Sequence, residues 1–150
     1  MNRFIPLFLS VLVLVSGDCP NGWTHHGTSC YRLRMDTETW VDAKLVCELD
    51  GGYLAEIENI PENNFIHGLI TDNKNLWLGG TDLSVETEWM WIHSQQPFGY
   101  TNWRPTEPNN SNKDENCLEM DPNGLWNDRP CHYIQKYLCE RPFSNEEIIG

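Results

Sequence analysis

The chain has 150 residues, one domain's length, with ten Lys and Arg against twenty-two Asp and Glu, for a formal net charge of −12. This acidic balance excludes nucleic acid and anionic lipid surfaces as partners, because both are repelled, while the carboxylates suit a hard cation such as calcium. Six cysteines and seven tryptophans in so short a chain point to a disulfide-stapled core built on large aromatics.

Residues 1–17 combine one basic residue, Arg3, with an apolar run from Phe4 to Val15 and the small Ser16 and Gly17. That is the layout of a cleaved secretory signal, and the run falls short of the about 20 apolar residues a spanning helix needs. The expected mature chain is therefore residues 18–150, secreted and extracellular, with no membrane anchor. All six cysteines (Cys19, Cys30, Cys47, Cys117, Cys131 and Cys139) lie beyond the signal. An even count in an exported chain implies three disulfides, with the pairing open on sequence alone. No Cys-x-x-Cys spacing occurs and His25 adjoins His26, which argues against zinc.

Along the chain, residues 30–33 read as a strand. Residues 36–49 place Trp40, Ala43, Leu45 (or Val46) and Cys47 at helical spacing, with Asp36 or Thr37 as cap and Gly51 as stop. Residues 53–57 alternate as a short strand, and a second helix starts with Pro61 in its first turn and ends near Asp72. From Leu76 the pattern changes to short apolar runs, 76–78 and 89–92, joined by polar loops. The longest loop, residues 95–116, is rich in Asn, Asp, Glu and Pro, and a segment of that length in a compact domain is expected to carry function. Asn123-Gly124 predicts a tight hairpin turn before Leu125-Trp126. The tryptophans are expected to be chiefly core, and the last residues, 143–150, a frayed tail.

The informative side chains are Glu107, Asn109 and Glu115 in the long loop, with Asn127 and Asp128 after the turn. All five offer oxygen and none offers sulfur or imidazole, the donor set calcium prefers. Pro108 stands between Glu107 and Asn109, and a cis bond there would turn both side chains toward one point. An ion held from one side keeps open positions for two neighbouring sugar hydroxyls, which the same carboxylates and amides can hydrogen-bond.

These residues resemble a known family. Glu107-Pro108-Asn109, Glu115-x-Cys117, Trp126-Asn127-Asp128, the run Leu76-Trp77-Leu78-Gly79-Gly80 and the six cysteines are similar to the long form of the calcium-dependent (C-type) lectin domain, over essentially the whole mature chain. The resemblance implies an α+β fold with two helices flanking two small antiparallel sheets and a long calcium-binding loop region. It implies the pairings Cys19–Cys30, Cys47–Cys139 and Cys117–Cys131, the last drawing the two site segments together. It also implies a principal calcium and sugar site on Glu107, Asn109, Glu115, Asn127 and Asp128, with Glu-Pro-Asn going with mannose-type glycans. An auxiliary calcium site falls on Asp82, Glu86, Asn110 and Glu115, weakened by Asn116, where many members carry an acid.

Asn109-Asn110-Ser111 is a formal glycosylation sequon, and a glycan on Asn109 would destroy the site. The leading expectation is a secreted mannose-type lectin in innate recognition or agglutination, assembled from several copies for avidity. The alternatives are a protein of the same fold that binds a mineral surface, ice or a protein partner, and a glycosidase using Glu107 and Glu115. No nucleophile with an adjacent base supports an enzyme.

Overall fold

A computed structural model describes residues 17–144. The expected signal, apart from Gly17, and the last six residues of the expected tail lie outside the described residues. Within them the order is β1 (Thr24–His26), β2 (Ser29–Glu38), α1 (Trp40–Leu49), β3 (Tyr53–Leu54), α2 (Ile60–Leu69), β4 (Leu76–Thr81), β5 (Met90–Trp91), β6 (Cys117–Met120), β7 (Trp126–Arg129) and β8 (Gln135–Pro142).

The strands form a path β1-β2-β8-β4-β6-β7, with β3 paired to β8 and β5 to β4. Pairing is antiparallel everywhere except between β4 and β8, which run parallel with Leu76 beside Lys136 and Trp77 beside Tyr137. That parallel seam joins the two antiparallel sets into one continuous sheet, a connection the sequence reading does not anticipate.

Helix α1 begins later than its periodicity predicts. Residues 36–38 belong to β2, whose Arg34 pairs with Tyr137 and Glu38 with Gln135 of β8. Asp36 is held there by Arg34 Nε at 3.0 Å and by the Tyr137 hydroxyl at 2.7 Å. The cap is accordingly Thr39 and neither Asp36 nor Thr37: its side chain accepts from the N–H of Asp42. Asn59 caps α2 in the same way through the N–H of Glu62, and α2 ends at Leu69, short of Asp72.

Five tryptophans (Trp40, Trp77, Trp89, Trp91, Trp126) are buried and Trp23 and Trp103 half-buried, so the aromatic core is borne out. Their indole N–H groups are satisfied where they are deepest. Trp40 donates to the Leu78 carbonyl at 2.8 Å, Trp77 to the Glu38 carbonyl at 3.1 Å, and Trp126 to Asn63 Oδ1 at 2.8 Å. Gly80 is required by packing: a Cβ there would lie 2.5 Å from Phe98 and 2.7 Å from Leu118. All three disulfides form with the implied pairings, Cys19–Cys30, Cys47–Cys139 and Cys117–Cys131.

Candidate functional site

The long loop leaves β5 and returns to β6 with only one short 3-10 turn, Ser111–Lys113, inside it. It is nevertheless pinned. Trp103 packs edge-on to Trp89 and Trp126, with centroids 4.9 and 5.9 Å away. Backbone bonds from Arg104 N–H to the Trp126 carbonyl (2.8 Å) and from Trp126 N–H to the Asn102 carbonyl (2.9 Å) clamp the loop to β7. Glu107 follows this clamp directly, its N–H donating to the Arg104 carbonyl at 3.1 Å.

The other wall is the β6–β7 hairpin. Its turn spans five residues rather than the two of the predicted tight turn, because Asp121 Oδ1 accepts from the N–H of both Asn123 (2.8 Å) and Leu125 (3.1 Å). Gly124 supplies the left-handed residue, at φ +79°. The hairpin sets Asn127 opposite Glu119 and Asp128 opposite Leu118, and the Cys117–Cys131 bridge ties its base.

Four of the five principal residues converge. The Glu107–Pro108 bond is cis, and Asn109 Nδ2 donates to Glu107 Oε1 at 3.2 Å. Asp128, fully buried, accepts from the backbone N–H of Asn109 at 3.2 Å and of Asn110 at 2.6 Å. The N–H of Ser111 is shared at 2.9 Å between Asn109 Oδ1 and Glu115 Oε2. The fifth residue, Asn127, is buried and turned toward β6, where its amide donates to Glu119 Oε1 at 2.8 Å.

The loop carboxyls are under electrostatic pressure. Burial, then the neighbouring Asp128, pushes Glu107 above its ordinary range. Burial and the charges of Asp128 and Glu119 do the same to Glu115. Glu107 Oε2 is buried with no hydrogen-bond partner. The chain's own groups therefore push these carboxyls upward, opposite to the effect of a bound cation.

This is the environment a cation relieves, and the donors are oxygens throughout, so the set fits calcium. Carboxylates alone do not build the centre: among the described residues, no three His, Cys, Asp or Glu side chains are grouped to hold a metal. Asp128 accepts loop N–H groups on both carboxylate oxygens, and Asn109 Oδ1 likewise accepts from the N–H of Ser111.

The auxiliary set is differently occupied. In the amide orientation that satisfies its neighbours, Asn116 donates to Asp82 Oδ1 at 3.0 Å and Glu86 Oε2 at 3.3 Å. Asn110 Oδ1 accepts from the N–H of Glu115 at 3.0 Å. Asp82 is buried, and burial with the charges of Glu86 and Asp128 raises its carboxyl pKa.

Two residues went unnoticed in the sequence, Glu119 and Arg129. Glu119 is 1% exposed and lies 4.0 Å from Arg129 Nε. A charged residue between Leu118 and Met120 on a short strand was the available signal.

Comparison with known proteins matches residues 36–141 to the "Lectin C-type domain" family. The chain is 34% identical over 131 residues to "Galactose-specific lectin nattectin" of Thalassophryne nattereri, covering 84% of this chain and 82% of that protein. Among solved structures it resembles the cow C-type carbohydrate-recognition domain of CD23 in the presence of GlcNAc2Man3 oligosaccharide, with TM-score 0.81, 32% identity, and 86% and 99% coverage of the two chains. A calcium-independent type II antifreeze protein is also similar, with TM-score 0.78, 30% identity, and 85% and 96% coverage. The match spans both helices, all of the sheet except β1, most of β2 and the last residue of β8, and every residue of the loop site, and on that ground the chain belongs to the C-type lectin domain family.

Proposed function

We propose that this protein is a secreted, non-enzymatic lectin that holds mannose-type glycans through one calcium ion bound by Glu107, Asn109, Glu115, Asn127 and Asp128. The observation that carries this reading is the buried, unpaired Oε2 of Glu107 in a loop of oxygen donors, its carboxyl raised by burial and by Asp128. Calcium, when bound, offers open coordination positions to a pair of vicinal sugar hydroxyls. The chain supplies the directionality. Carboxylate oxygens of Glu107 and Glu115 accept from those hydroxyls, and the amides of Asn109 and Asn127 donate to them. Acid before Pro108 and amide after it fix which hydroxyl is bonded from which side, the order that goes with two equatorial hydroxyls.

The same electrostatics support binding over hydrolysis. An acid–base pair needs two carboxyls whose pKa values are driven apart, whereas Glu107 and Glu115 are both pushed upward. The auxiliary set of Asp82, Glu86, Asn110 and Glu115 is the weaker, since Asn116 bridges the first two with a neutral amide and Asn110 is committed to backbone. Retention on immobilised mannose, released by chelator and by free mannose, tests the proposal; retention indifferent to both contradicts it.

The likeness to a calcium-independent antifreeze protein supports a second reading, in which this fold presents an acidic surface to a mineral, ice or a protein partner. That reading expects no glycan retention at any calcium concentration.

A further inference from the structure

Helix α1 carries apolar side chains on two opposite sides. Trp40, Ala43 and Cys47 are buried in the domain, as an amphipathic helix requires. On the far side Val41, Leu45 and Leu49 follow at four-residue steps and so line one face. They are 50%, 49% and 86% exposed. No other helix or strand among the described residues exposes three large aliphatic side chains. The fold gives these positions nothing to do, since a solvent-facing helix side takes polar residues without loss.

We propose that this face docks on the same face of a second copy of the chain, as an antiparallel helix pair about a two-fold axis at Leu45. In that register Leu45 meets the second copy's Leu45, and the smaller Val41 meets the larger Leu49 from each side. Charge singles out this occupant. Lys44 and Glu48 flank the stripe on one side and form an ion pair within the helix at 2.6 Å. A two-fold reversal lays that flank against itself, with Lys44 about 3 Å along the axis from the second copy's Glu48 and the reverse, each side chain leaning toward its own N-terminus and so toward the other. The two pairs then become a ring of four alternating charges, self-complementary as an isologous interface demands. Asp42 lies on the other flank, where the reversal holds it about 9 Å along the axis from its counterpart, at about 1.5 Å per residue.

The pair is weak. A ten-residue helix is only about 15 Å long, and its contact falls below the roughly 800 Å² per partner of a standard interface. The full chain also carries a net charge of −12, and −13 without Arg3, which opposes association until salt screens it. The pair therefore forms only at high protein concentration. Two linked sugar sites then act together wherever the protein is concentrated.

Sedimentation equilibrium on the whole secreted protein tests this between about 10 and 300 μM. The weight-average mass is expected to climb from monomer toward dimer, and Leu45→Glu to hold it at monomer. Lys44→Glu is expected to weaken the association several-fold and Lys44→Glu with Glu48→Lys to restore it, near-UV circular dichroism showing each variant folded. A monomer mass across the whole range overturns the proposal. So does a Leu45→Glu protein that associates like the parent, or a Lys44→Glu protein that does. Dimerisation only after removal of residues 145–150 would make the chain's own tail the occupant and equally overturn it.

Discussion

The side-chain amide of Asn127 donates to Oε1 of Glu119 at 2.8 Å, directly across the β6–β7 register. This buried bond points the Asn127 fork and leaves its oxygen as the available donor atom, so Glu119 acts on the loop site without belonging to it. Glu119→Ala removes a charged acceptor from the buried Asn127, and an ion-pair partner 4.0 Å from Nε of the half-buried Arg129, and should cost about 1.5–3 kcal/mol of stability. Urea unfolding measures that loss, and isothermal calorimetry should show calcium affinity falling at least several-fold. Unchanged calcium affinity would mean that Asn127 is positioned by β7 alone.

Disulfide removal should rank by loop length. Cys47–Cys139 spans 92 residues and joins α1 to β8, so replacing both with Ala should cost about 4–5 kcal/mol in the chain-entropy model. Cys117–Cys131 spans 14 and should cost about 3 kcal/mol, with a larger proportional loss of calcium binding because it ties the base of the site hairpin. Thermal melts of the two double variants decide the order.

Glu140 gives the stability its pH dependence. Burial raises its carboxyl to about 7, although Ser29 and the Glu56 N–H both hydrogen-bond it and pull the other way. Its unfolded value is that of an ordinary glutamate, about 4.3, so between the two values the folded state holds the extra proton. The contribution is therefore full below the unfolded pKa and lost as pH rises to about 7, by roughly 3–4 kcal/mol. In chelator, wild type should lose this stability between about pH 4.5 and 7 while Glu140→Gln does not. Parallel pH profiles would remove Glu140 as the cause.

The sequon at Asn109 should remain bare. Its Nδ2, the atom a glycan would modify, donates to Glu107 Oε1, and its Oδ1 accepts from Ser111. Mass spectrometry of the secreted protein should return residues 18–150 less six hydrogens. A glycan-sized excess on the peptide containing Asn109 would count heavily against calcium-dependent sugar binding.

What the sequence disclosed and what it withheld follow from the range of each interaction. Glu107, Asn109 and Glu115 are close in the chain, and the hairpin that brings Asn127 and Asp128 to them is short, so the loop site was legible as a local motif. Periodicity likewise marked the buried face of α1. Its start was not legible, because residues 36–38 are claimed by pairing with β8, a hundred residues away, which outweighs local propensity. The parallel seam between β4 and β8 and the contact of Glu119 with Asn127 depend on strand register, which side-chain alternation in a four-residue strand barely encodes.

Glycan binding by the purified secreted protein, with calcium, with chelator, and with Glu107→Gln plus Asn109→Asp, tests the central claim most directly. The account predicts retention of mannose-type glycans that chelator abolishes and that the double substitution moves toward galactose. It is contradicted if no glycan is retained while calcium still raises the melting temperature, for then the ion only braces the loop.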